Sequence, residues 1–317
     1  MKHAVISGTG SYLPTRQLTN VELETMLDTS DEWIYSRTGI KSRRIASTNE
    51  TTAFMAGCAA KEALESSGLE ADQIDLIIVA TCTPDHFFPS MACHVQQMLN
   101  ISRPIPAFDI SAACSGFIYA MDVAKQYIAS GALKHVLVIG SERMSKAVDW
   151  SDRSTCVLFG DGAGAVVLSQ SDKPGILGSV LHASFDKDDL LTFANISEDD
   201  QRPLIGMRGN EVFKLAVNIM GDIVDEVLEA SNLQKSDIKW LLPHQANIRI
   251  IKGIAKKLSL PMSQVIVTIE DQGNTSAASI PLALDFSVRQ QSIKRGDTLL
   301  LESFGGGMTW GAMVVKY

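Results

Sequence analysis

The chain has 317 residues, 45% hydrophobic and 20% charged, enough to bury a large core in two domains or one large α/β unit. Its net charge of −8 sets the overall field against a nucleic-acid partner, and no apolar run reaches the roughly eighteen residues needed to span a bilayer. The start MKHAVISGTGSYLP lacks a secretory leader's long apolar segment, and the five cysteines (Cys58, Cys82, Cys93, Cys114, Cys156) form no regular framework, so a cytoplasmic protein with reduced thiols is expected.

In chain order, SGTGSYLP offers two glycines of a dinucleotide fingerprint without the third, and Pro14 stands where a helix should open. These are glycines of backbone geometry. The amphipathic helix TTAFMAGCAAKEALESSG leads through a polar connection into a buried strand over residues 76–80. CTPDHFFPSMACH follows, and Cys82, His86, Cys93 and His94 in it raise the question of zinc. No pair has a CxxC or HExxH spacing, so no metal is expected.

AFDISAACSGF then runs from a strand into tiny residues, presents Cys114, and opens into an apolar helix carrying Phe117, Ile118, Met121, Ala124, Tyr127 and Ile128 on one side. A thiol at the positive end of a helix dipole is expected to have a lowered pKa and to favour the thiolate, while Ser111, Ala112 and Ala113 leave room for a substrate. FGDGAGAVV enters a strand rather than a helix, which removes the helix N-terminus that would hold phosphate.

Downstream, His244 in LLPHQAN ends an apolar strand, and Asn274 in DQGNTSAAS precedes a helix. Singly, each reads equally well as a structural histidine and a helix cap. With a thiol, they supply two hydrogen-bond donors for a developing oxyanion. In ANIRIIKGIAKKLSL, at about 100° per residue, Arg249, Lys252 and Lys256 share one arc and Ile251, Ile254 and Leu258 the opposite one. The glycines of ESFGGGMTWG let backbone approach a ligand and offer amide donors.

The chain also repeats itself. Helix, polar linker, strand and loop recur at an offset of roughly 164 residues, far beyond any solenoid period. YIASGALKHVLVIGSE answers to VRQQSIKRGDTLLLESFGG, and FGDGAGAVVLSQ to GGGMTWGAMVVKY. Two halves, 1–172 carrying the cysteine and 173–317 carrying the histidine and asparagine, are therefore expected to join near SQSDKPGILG. Loops at strand carboxyl ends would then converge on one site.

DISAACSGF, PHQAN, GNTSAAS and FGGGMTWG in this order, with GTGSYLP, TSDEWIYSRTGIKSRRIA and FGDGAGAVVL, resemble β-ketoacyl-acyl-carrier-protein synthase III, of the thiolase-like superfamily, over essentially the whole chain. The resemblance implies a homodimer of α/β class with the thiolase-like duplicated αβαβα layered fold, two mixed sheets around a central helical layer. It implies an acyltransferase that condenses a short acyl-CoA, acetyl-CoA above all, with malonyl-ACP in a decarboxylating Claisen reaction that initiates type II fatty-acid synthesis. Cys114, His244 and Asn274 would be its triad, and the backbone amides of Cys114 and Gly306 its oxyanion hole. The coenzyme A thioester is a substrate, so no metal or other cofactor is called for.

By the same resemblance, Trp33, Arg37, Arg153 and Asn247 would bind CoA. Phe87 or Phe88 would reach across the dimer to floor the acyl pocket, and Lys214, Arg249, Lys252, Lys256 and Lys257 would dock the acidic acyl carrier protein. The sequence departs from the family pattern at Phe87 and Met91, where smaller residues are common, and in HASFDKDDLLTF, where relatives often carry a glycine-containing run. Other readings are a condensing enzyme of secondary metabolism with another acceptor and a non-catalytic acyl-CoA or carrier-protein binder. A chalcone-synthase-like enzyme would end in a GFGPG motif absent here.

Overall fold

The computed structural model describes residues 2–193 and 204–317. Two sheets form its frame. In the first, the strand order is His3–Tyr12, Asp161–Ser171, His135–Arg143, Leu76–Ala80 and Ala107–Ile110. In the second it is Ile176–Ala183, Thr309–Lys316, Thr298–Gly305 and Trp240–Pro243. Both sheets are mixed in the same way: the first two pairings are antiparallel and the next is parallel. A parallel bridge between Leu241 and Val265 stands where the first sheet has its fifth strand.

Strand patterning makes these sheets inner layers. Leu76, Ile78 and Ala80 face one core and Ile77 and Val79 another, and all five are fully buried. Period-two alternation with both faces apolar belongs to a sheet covered on both sides. The second sheet repeats it, with Leu299 and Leu301 turned to the shared core and Leu300 away.

Helices Gly116–Ala129 and Ser279–Arg289 fill the space between the sheets, through Phe117, Met121 and Ala124 from one and Ile280, Ala283 and Leu284 from the other. Tyr127, expected on the buried side, instead points outward. Helices Thr52–Ser67 and Met91–Met98 cover the first sheet, while Gly209–Ala230 and Ile248–Lys257 cover the second. The result is a five-layered αβαβα stack.

Thr51 caps the Thr52–Ser67 helix by accepting from the Phe54 N–H, and Gly68 ends it at φ 70°. The alanine-rich face of this helix, Ala56, Ala59, Ala60 and Ala63, lets it lie close on the sheet. Among the described residues no helix is long and apolar enough to cross a membrane.

Candidate active site

Three strand ends and the loop after the short helix Ile269–Gln272 meet at a cavity of about 880 Å³ lined by Cys114, His244, Asn274 and Gly306, among others. The sulfur comes from a 3-10 turn, Ala113–Ser115, between the Ala107–Ile110 strand and the Gly116–Ala129 helix. Ala113 is held there at φ 45°, a left-handed conformation that costs a non-glycine residue about 1 kcal/mol. The second half fixes the turn: the Ser303 hydroxyl donates to the Cys114 carbonyl at 2.8 Å, Thr309 Oγ1 to the Ala112 carbonyl at 2.8 Å, and Ser115 Oγ to the Thr309 carbonyl at 3.0 Å. A Cβ on Gly305 would lie 2.7 Å from the Cys114 nitrogen, so only glycine permits this approach.

Burial and the neighbouring Glu142 push the Cys114 thiol up to about 12, against a Ser276 hydrogen bond that pulls it down. This overturns the expectation of a resting thiolate. Cys114 sits in the turn just before the helix rather than in it, and loss of hydration outweighs the dipole.

His244 follows the Trp240–Pro243 strand, its N–H donating to the Glu302 carbonyl at 2.8 Å. Burial lowers its pKa to about 4, so the imidazole is neutral at pH 7, and Nδ1 has no protein partner. Asn274 is stapled by its backbone to the 158–160 segment, through bonds to the Leu158 carbonyl (2.8 Å) and from the Gly160 N–H (3.0 Å). Its Oδ1 accepts from the Ser276 N–H at 2.9 Å, which leaves Nδ2 as the donor for the cavity. A thiol, a neutral imidazole and a carboxamide N–H thus line one cavity. Such a set can exchange a thioester and stabilise an enolate oxygen.

At the mouth, the guanidinium carbons of Arg37 and Arg153 lie 5.1 and 5.2 Å from the Trp33 ring centre. Trp33, Arg37, Asn247 and Arg249 line the cavity, whereas Arg153 reaches Trp33 from beside it. Asn247 also caps the Ile248–Lys257 helix, its Oδ1 accepting from the Arg249 N–H at 2.8 Å. Ile251, Ile254 and Leu258 are buried, and Lys214, Arg249, Lys252 and Lys256 are exposed. Lys257 differs from that group: its Nζ pairs with Asp222 at 2.6 Å and its stem crosses Gly221, so it clamps two helices together.

Phe87 and Phe88 do not line this chain's cavity; they are 81% and 87% exposed. Cys82 lines it, its thiol donating to Glu142. Among the described residues no group of three metal-ligating side chains exists; Cys93 contacts Ser90, and His86 packs against His94. Sequence reasoning missed Glu142, Ser276, Ser303 and Thr309, as well as Arg43. The Arg43 guanidinium is fully buried and donates to the carbonyls of Leu18 and Val157 and to Asn20 Oδ1, bracing the loop against which Asn274 is held.

A family model described as 3-oxoacyl-[acyl-carrier-protein] synthase III matches residues 108–184, and one for its C-terminal part matches residues 228–317. The chain is 55% identical over 318 residues to a β-ketoacyl-[acyl-carrier-protein] synthase III of Coxiella burnetii, covering 100% of both. The chain belongs to the β-ketoacyl-acyl-carrier-protein synthase III family. The crystal structure of a synthase III from Aquifex aeolicus superposes with a TM-score of 0.94 at 51% identity, over 99% of this chain and 100% of that one. The priming β-ketosynthase of the R1128 polyketide pathway superposes with a TM-score of 0.94 at 39% identity, over 99% of this chain and 96% of that one. Cys114, His244, Asn274 and Gly306 all line one cavity in this chain.

Proposed function

We propose that the chain catalyses the decarboxylating condensation of a short acyl-CoA, acetyl-CoA first, with malonyl-ACP, giving 3-oxoacyl-ACP, CoA and carbon dioxide and starting type II fatty-acid synthesis. The observation that carries this reading is the meeting of Cys114, His244 and Asn274, from three separate loops, in one cavity. As Cys114 attacks the acyl carbonyl, the backbone amides of Cys114 and Gly306 hold the tetrahedral oxyanion, and the thiol proton leaves with the departing CoA sulfur. The malonyl thioester then loses carbon dioxide while His244 and Asn274 Nδ2 donate to the enolate oxygen, and the carbanion attacks the acyl-cysteine, regenerating sulfur. Loss of carbon dioxide drives the new carbon–carbon bond, so the chemistry requires no redox or metal cofactor.

Trp33, Arg37, Arg153 and Asn247 would hold CoA, because stacked guanidinium and indole planes suit an adenine and its phosphates. The exposed cations Lys214, Arg249, Lys252 and Lys256 would receive the acidic carrier, with Lys257 in a bracing position. Phe87 and Phe88, exposed on the single chain, would serve the acyl pocket of a second copy in a homodimer. Residues 1–172 and 173–317 are read as its two half-units. Five unpaired cysteines fit a reducing cytoplasm.

Incubation with acetyl-CoA should add one acetyl group at Cys114 by intact mass, and later malonyl-ACP should yield acetoacetyl-ACP. Asn274→Ala should still be acylated but lose condensation by about 10²-fold or more, the usual worth of one oxyanion donor. The likeness to the priming ketosynthase of the R1128 polyketide pathway supports a second reading, a condensing enzyme of secondary metabolism, which acylation without acetoacetyl-ACP would favour. CoA binding without acylation would exclude both.

A further inference from the structure

The reaction needs two amides side by side, and they come from distant stretches of chain. The Cys114 N–H belongs to the Ala113–Ser115 turn, and the Gly306 N–H to the tight connection between the Thr298–Gly305 and Thr309–Lys316 strands. An oxyanion is stabilised fully only where both donors aim at one place to within about 0.5 Å. Neither stretch sets that spacing by itself. The turn is strained, with Ala113 at φ 45°, and the connection runs through Gly305, Gly306 and Gly307, which have no side chains to anchor it.

Thr309 touches both. Its Oγ1 donates to the Ala112 carbonyl at 2.8 Å and to the Gly306 carbonyl at 3.2 Å, so one hydroxyl proton is shared between the turn that presents Cys114 and the glycine of the oxyanion hole. Its own carbonyl accepts from Ser115 Oγ at 3.0 Å, and the turn is thus gripped on both sides of the nucleophile. The threonine is itself well held. Its backbone pairs with Gly305 on one side and Ala183 on the other. Its branched Cβ restricts χ1, and its methyl packs beside Gly307, where an added Cβ would lie 3.2 Å away, which leaves the hydroxyl to face the two carbonyls. The Ser303 hydroxyl also steadies the turn, through the Cys114 carbonyl at 2.8 Å, but it has a single proton and spends it there.

We propose that Thr309 is a positioning residue for the oxyanion hole: its hydroxyl yokes the Ala112 and Gly306 carbonyls and thereby sets the separation of the Cys114 and Gly306 amides. The role rests on the reading of those two amides as the oxyanion hole. It acts on both tetrahedral intermediates, in acyl transfer and in condensation. It leaves ground-state binding of CoA alone, because Trp33, Arg37 and Arg153 lie at the cavity mouth.

The test is the rate of acetyl transfer to Cys114 at saturating acetyl-CoA, followed by intact mass, beside the Kd for CoA from calorimetry. Thr309→Val removes the hydroxyl and keeps the branched shape. Its acylation rate should fall about tenfold or more, short of the roughly 10²–10³ that loss of a whole oxyanion donor costs, while the Kd stays within about twofold. Thr309→Ser keeps the hydroxyl and should hold the rate within about threefold of the wild type. A valine variant as fast as the wild type would overturn the proposal, as would a serine variant as slow as the valine one, or a fall in rate matched by an equal loss of CoA affinity. Should the valine variant not fold, Thr309→Ala takes its place, with the same expected fall and the same overturning outcomes. Wild-type protein that takes no acetyl at Cys114 overturns the parent reading and this role with it, whereas a normally acylated wild type beside an unaffected valine variant overturns this role alone.

Discussion

At the scale of single residues, the site is built from groups held in their neutral forms. Burial sets the resting protonation of both Cys114 and His244, pushing the thiol up and the imidazole down. With the thiol near 12 and the imidazole near 4, both rest neutral at pH 7, so the imidazole is free to donate a hydrogen bond without adding a charge to the site. The same depression makes stability depend on pH. The unfolded chain binds a proton at the ordinary histidine value near 6.5, and the folded one only near 4, so between these values the unfolded state holds more protons. Stability from this group is fully present above about pH 6.5 and falls as acid is added, by about 3 kcal/mol at pH 4. Urea denaturation of the wild type and of His244→Gln at pH 7.5 and pH 4.5 should show the wild type losing more stability by about 2 kcal/mol or more. Equal losses would mean that His244 titrates normally in the folded chain.

At the scale of elements, the sequence made the motif-bearing loops and their strands legible because each is a short run with its own punctuation. The strand over 76–80 is in place, as is the apolar face of the Ile248–Lys257 helix. Contacts between distant segments were not legible. Ser303 and Thr309 look like ordinary strand residues until the hairpin they belong to lies against the Cys114 turn. Glu142 reads as a strand end, and only the fold shows six donors around it. The thiol's ionisation was misjudged for a related reason: a dipole follows from the helix pattern, but depth of burial does not.

The basic helix shows how an element's chemistry divides. Lys257 is spent on Asp222, whereas Arg249 stands at the cavity rim with its guanidinium 5.1 Å from the Phe213 ring centre. An acidic carrier should meet this field before its pantetheine enters. Arg249→Glu is expected to cut kcat/KM for malonyl-ACP by about tenfold or more while acetyl-CoA priming falls less than about threefold, and raised salt should narrow the gap. Equal losses with both substrates would place Arg249 at the CoA end of the cavity only.

For the whole molecule, the decisive feature is that the two sheets share one helical layer. Phe117, Ile118 and Met121 from the first half interlock with Ala277, Ile280 and Leu284 from the second, and Leu299, Leu301 and Met313 close the same core. Each half alone would expose an entire sheet face and one side of its central helix. Polar links cross the same boundary: Asp285 takes Thr9 and Ser11 hydroxyls at 2.8 and 2.6 Å, and Arg289 pairs with Glu62 at 2.7 Å. At about 25 cal/mol per Å² of apolar surface, each ~400 Å² of uncovered sheet face costs about 10 kcal/mol, as much as the usual 5–15 kcal/mol of net domain stability. The halves should therefore be repeats in topology but one unit in folding. Expressed separately, residues 1–172 should bind a hydrophobic dye and melt without a cooperative transition, while the full chain melts in a single step. A cooperative melt from the isolated first half, at a temperature close to that of the full chain, would show that the central layer does not hold the two sheets together energetically.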